Sequence, residues 1–209
     1  MSLLKLRTPF AGFIAAALAG TLVAQFNAKS KARAAPFDYY VLSLSWEPGF
    51  IVHGLWPEAA AGNSPESCGT AKPVPKAVVA FALMDMPSPS LIQHEWAVHG
   101  VCTGLNPFDY FSSIAQARAA LQIPVQITSI EEPLRESPGQ IETQFAMANT
   151  AFPVSAFRTS CPGGEFSEER ICFDKTLKPR ACTASVGECT VPAVTIRAPA
   201  PPSIKSRRK

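Results

Sequence analysis

Histidine and charge are both scarce in this chain: three of its 209 residues are histidine, and charged residues make up 17%. None of its six cysteines forms the C-x-x-C pair of a structural zinc site, so the cysteines give little support to a metal-binding role. Beyond residue 24 there is no apolar run approaching the roughly 20 residues that span a bilayer. No internal repeat is present, which excludes a solenoid. Basic charge is also lacking where it would matter for a polyanion. Residues 36–196 carry 9 bases against 16 acids, a net charge of −7, so a broad basic face for nucleic acid is excluded.

The remaining basic residues sit at the ends. Five lie in the first 35 residues, with no acid among them, and five lie between Arg197 and Lys209. Lys5 and Arg7 precede an apolar run from Pro9 to Ala24, and Ala32-Arg33-Ala34 offers small residues at the spacing a signal peptidase needs. That run is about 16 residues, short for a membrane anchor. The expected organisation is a cleaved leader over 1–35, one folded domain over 36–196, and a proline-rich basic tail, disordered in solution, over 197–209. The mature chain is then secreted or periplasmic, without stable membrane association. In an exported chain, Cys68, Cys102, Cys161, Cys172, Cys182 and Cys189 are most simply three disulfides, for which 15 pairings exist.

Phe37 to Trp46 reads as a strand, Glu47-Pro48-Gly49 as a turn, and Phe50 to Leu55 as the next strand, carrying His53. A helical pattern covers Pro75 to Met86. Ser88-Pro89 caps a second helix running through His94 and His99 to Gly100. Asn106-Pro107 opens a third, with Phe108, Tyr110, Phe111, Ile114 and Ala115 expected toward the core. Ser137 and Gln140 have capping-box spacing before a helix bearing Ile141, Phe145 and Met147. From Val154 the pattern returns to strands, the first two joined by Cys161-Pro162-Gly163-Gly164. Helices grouped between strand pairs predict an α+β domain with an antiparallel central sheet.

All three histidines fall in two segments, FIVHGLWPE (50–58) and QHEWAVHGVC (93–102). A zinc-protease helix needs histidines four residues apart; His94 and His99 are five apart, about 140° around a helix. Glu95 and His99 are four apart and share a helical face, predicting a carboxylate that orients the imidazole and raises its pKa. With His53 delivered from a strand, two imidazoles can remove one proton and donate another. That chemistry suits cleavage of RNA, where the 2′-hydroxyl loses a proton and the leaving 5′-oxygen gains one. Trp46 and Trp96 read as core residues.

The two segments resemble the active-site signatures of the ribonuclease T2 family, and YYVLSLSW, MPSPSLIQHEW and FDYF extend the match over nearly all of 37–194. The resemblance implies an exported endoribonuclease acting on RNA rather than DNA, through 2′,3′-cyclic phosphates and without metal or cofactor. It implies His53 and His99 as acid and base, Glu95 as a catalytic carboxylate beside the phosphate, His94 as a phosphate contact, and Trp56 and Glu58 as base contacts. It also implies the pairs Cys68–Cys102, Cys161–Cys189 and Cys172–Cys182.

Two departures stand out. The second signature usually carries lysine where this chain has Val98, and one preorganised charge donor is worth about 2.7–4 kcal/mol, or 10²–10³ in rate. The link Glu47-Pro48-Gly49 is also shorter than in the bacterial members it resembles. A slowed enzyme is therefore expected, the alternative being a catalytically weak or inactive module that binds RNA or protein. Protonated histidines should favour an acidic optimum.

Overall fold

The computed structural model describes residues 35–46, 49–184, 186–187 and 189–198. The expected leader up to residue 34, Glu47-Pro48 of the short link, and the tail from residue 199 lie outside the described residues.

The aromatic and β-branched run forms strand β1 (Tyr39–Ser45), and the first histidine segment forms β2 (Ile51–Glu58). Next come helices α1 (Lys76–Ala82), α2 (Pro89–Val98), α3 (Pro107–Ala119) and a single turn, α4 (Val125–Thr128). Strand β3 (Leu134–Glu136), helix α5 (Pro138–Ala148), and strands β4 (Phe157–Ser160), β5 (Glu168–Phe173) and β6 (Val194–Ile196) complete the order. The main sheet is antiparallel, in the order β2-β1-β5-β4, and β3 pairs with β6 in a second, smaller sheet. This is the expected α+β class.

The caps behave as their sequences predict. Ser88, Asn106 and Ser137 each accept a backbone N–H from the first turn of α2, α3 and α5, each helix starting at a proline that has no N–H to lose. Ser137 and Gln140 complete a reciprocal capping box. Pro57 is tolerated within β2 because that strand is an edge of the sheet.

The core lies between one face of the sheet and the helices, built on Leu42, Leu44, Leu55, Ile92, Phe111 and Phe145. Phe108, expected toward the core, is 53% exposed, and Met147, on the helix of Ile141 and Phe145, is 72% exposed. Phe108 lies six residues from Ile114, and Met147 six from Ile141. Six helical steps turn a side chain about 120° off the buried stripe. Ala117 and Ala146 are buried instead, whereas Ala115 is only half-buried. Helix α1 stops at Ala82, four residues early, although Met86 is still fully buried. Trp96 is buried and donates to the Lys72 carbonyl, and Trp46 packs its edge on Phe50, so both serve the fold.

The three disulfides are Cys68–Cys102, Cys161–Cys189 and Cys172–Cys182. The body's contacts continue to Arg197, the first residue of the expected tail, whose carbonyl accepts from the Trp46 indole. At the other end the Ala35 N–H donates to the Cys102 carbonyl. Among the described residues no helix is long and apolar enough to cross a membrane.

Candidate active site

Strand register decides which side chains meet on the face of the sheet away from the main core. Directly paired residues of antiparallel strands share a face. Val41 pairs with Trp56 on β2 and Cys172 on β5; Ser43 pairs with Gly54 and Arg170, and Ser45 pairs with Glu168. Trp56, Glu168 and Arg170 therefore emerge together, over a small cluster of Tyr39, Val41, Cys172 and Val186. Between Ser43–Gly54 and Leu44–Val52 the register shifts, leaving His53 as the extra residue of a β-bulge. A bulge re-aims its side chain, here toward β5.

His53 is held on both sides. Its Nδ1 lies 2.6 Å from Glu168 Oε1, and its Nε2 lies 3.5 Å from Glu95 Oε1. The Glu168 hydrogen bond raises the pKa of His53 above 6.5, against desolvation, with the Glu95 charge adding to the rise. Glu168 is drawn down to about 2. Burial opposes that shift, but the hydrogen bond from His53 and the Arg170 guanidinium outweigh it. Arg170 donates to Glu168 Oε2 from both Nε and Nη2, at 3.1 and 2.9 Å.

Glu95 is fully buried, and burial raises its pKa. Its Oε2 accepts the Trp56 indole N–H at 2.9 Å, while Oε1 has no hydrogen-bond partner. The glycines of the two histidine segments make this approach sterically feasible. A Cβ on Gly54 would stand 2.0 Å from Glu95 Oε2, and one on Gly100 would stand 2.4 Å from the Trp96 ring.

The structure corrects the expected Glu95–His99 unit. Helix α2 ends at Val98, and His99 is its C-cap at φ −110°, so helical spacing no longer aligns the two side chains. The His99 N–H donates to the Glu95 carbonyl, but no side-chain hydrogen bond or ion pair is seen between the two, and the Glu95 carboxylate serves His53 and Trp56 instead. Rather than rising, the His99 pKa falls to about 4, through burial first and then the charges of His94 and His53.

Trp56 is the hub between the imidazoles. Its ring centroid lies 5.3 Å from that of His53, edge-on, and 5.4 Å from that of His99, tilted by 34°. The Arg170 guanidinium stands 5.2 Å from the same centroid. His94 is exposed on α2, and Glu58 is half-buried and accepts from the Ser64 hydroxyl. Val98 is half-buried at the end of α2. Among the described residues no three His, Cys, Asp or Glu side chains are grouped to hold a metal ion.

Glu168 and Arg170 were not singled out in the sequence. Their signal was the alternation of EERICF, which puts Glu168, Arg170 and Cys172 on one face and Glu169, Ile171 and Phe173 on the other. Nothing local said which face would meet His53.

The model of the Ribonuclease T2 family matches residues 37–182. The chain belongs to the ribonuclease T2 family. A "Ribonuclease" of Aeromonas hydrophila is 32% identical over 117 residues, covering 48% of this chain and 54% of that protein. A "Probable ribonuclease" of Haemophilus influenzae is 32% identical over 131 residues, covering 47% and 48%. The chain thus spans about half the length of the curated relatives it matches. Among solved structures, the RNase-related protein from Calystegia sepium superposes at TM-score 0.63 with 20% identity, covering 77% of this chain and 97% of its own. RNase NT in complex with 5′-AMP superposes at 0.61 with 17% identity, covering 78% and 98%. These structures share the T2 fold.

Proposed function

We propose that the chain is an exported endoribonuclease that cleaves single-stranded RNA by transesterification through a 2′,3′-cyclic phosphate, using imidazoles rather than a metal. The supporting observation is that two imidazoles packed on one indole have pKa values driven in opposite directions. His99 is neutral above about pH 4, and His53 keeps its proton above 6.5. Paired titratable groups pushed apart by their surroundings mark a base and an acid.

In this reading His99 takes the 2′-hydroxyl proton as that oxygen attacks phosphorus, and His53 donates a proton to the departing 5′-oxygen. In its protonated form, which burial favours, Glu95 can donate to a non-bridging oxygen; ionised, it adds to the pull on the His53 proton. Its unpartnered Oε1 is available for that bond. His94 meets the incoming phosphate from the surface. Trp56 and Glu58, two residues apart on one strand face, provide the base-side contacts. Export agrees with three disulfides in a chain without free cysteine among the described residues.

The deciding experiment incubates purified protein with RNA in excess EDTA. Cleavage to 2′,3′-cyclic ends should persist, and His53→Ala and His99→Ala should each lose about 10²–10⁴-fold in rate. Absence of cleavage, with RNA binding retained, would favour the non-catalytic binder that the Val98 substitution also suggests.

A further inference from the structure

The cleavage site described above has a base, an acid and a buried carboxyl, yet position 98 supplies no cation for the charge that develops on phosphorus. In a body with 16 acids against 9 bases, such a cation has to be local. A guanidinium does touch the site: that of Arg170, brought by β5 from 117 residues beyond His53 in the chain. Its guanidinium is oriented by two hydrogen bonds to a single oxygen, Glu168 Oε2, while Glu168 Oε1 holds His53. One carboxylate therefore spaces the guanidinium against the acid imidazole. The Trp56 ring, which also carries His99, supports it from another side.

Arg170 Nη1 takes no part in the Glu168 pair. A Cβ on Gly187 would stand only 3.1 Å from it, so this glycine leaves the guanidinium its room. Both Arg170 and Glu168 also line a cavity of about 700 Å³ with Ser160, Gly164, Gly187 and Thr190, which adjoins the histidine site through Glu168 and is not lined by the imidazoles or Trp56. The Arg170 side chain is 24% exposed, which leaves donors available to a ligand without releasing the pair. A planar guanidinium matches two oxygens of a phosphodiester, which an ammonium would meet only as a point charge.

We propose that Arg170 binds the RNA phosphate at the cleavage point, with Glu168 as its positioning residue. This rests on the ribonuclease reading, and the test separates the two. Arg170→Gln should lower kcat/KM for an RNA oligomer by about 10²–10³-fold, the loss typical of one preorganised donor. A role confined to supporting Glu168 would leave the salt dependence of binding unchanged. For a fluorescent 2′-deoxy oligonucleotide, which cannot be cleaved, the slope of log Kd against log salt should fall by about 0.7, one phosphate contact on a single strand. Arg170→Lys, which keeps the charge, should retain the wild-type slope.

The unaltered protein provides a measurement independent of refolding. Bound 2′-deoxy oligonucleotide should protect Arg170 from phenylglyoxal. Unchanged modification of Arg170, or an Arg170→Gln chain with wild-type rate and slope, would overturn the proposal. If the wild type cleaves no RNA, the ribonuclease reading fails, while slope and protection still decide whether Arg170 holds phosphate.

Discussion

Glu168 Oε1 sits 2.6 Å from His53 Nδ1, across 115 residues of sequence, and this contact is the largest cause of the raised His53 pKa, with the Glu95 charge on α2 adding to it. Replacing the charge while keeping an acceptor, in Glu168→Gln, should lower the His53 pKa. NMR titration of the imidazole reads this directly. The alkaline limb of kcat/KM moves to lower pH with it, and activity at neutral pH drops about tenfold for each unit moved.

If the proposed chemistry holds, the unaltered protein should show a bell-shaped pH–rate profile. Its acid limb reports deprotonation of His99 near pH 4, and its alkaline limb reports loss of the His53 proton above 6.5. The maximum should lie between them, in mildly acidic solution. Initial rates on an RNA oligomer across the range check it, and a maximum above about pH 8 would be incompatible with an imidazolium acid.

Val98 stands immediately before His99 at the end of α2. Val98→Lys should raise kcat/KM, toward the 10²–10³ that about one added charge donor can supply. The gain should be larger in a chain that also carries Arg170→Gln. A double-mutant cycle measures that coupling.

Glu169, on the opposite face of β5, is fully buried, with its pKa pushed well above 4.5 by burial and then by the Glu142 charge, against the Thr159 hydrogen bond and Arg158. A carboxyl that holds its proton more tightly folded than unfolded stabilises the fold below 4.5, and that support is lost as pH rises toward its folded value. Glu169→Gln should therefore match the wild-type melting temperature near about pH 4 and exceed it near about pH 8, as thermal melts across pH would show.

Much of the frame was legible because its signals are local. Caps at Ser88, Asn106 and Ser137 act on backbone groups within one turn, and proline and glycine act on their own φ. The expected disulfide pairs came with the family resemblance, and the three pairs are those found. The same local logic failed for Glu95 and His99, because it assumed a helix that runs through His99 to Gly100, two residues beyond the end of α2.

By itself, the sequence determined which short segments carry the imidazoles and which residues cap the helices around them. Only the tertiary structure decided that β5 lies next to β1, and thus that Glu168 and Arg170 reach a bulged His53. The assembled fold likewise set the two imidazoles apart: burial lowers the His99 pKa, while the Glu168 hydrogen bond raises that of His53 against its own burial. Hydrogen-bond propensities act over a few residues, whereas desolvation and charge act across space, between groups whose separation the chain order does not specify.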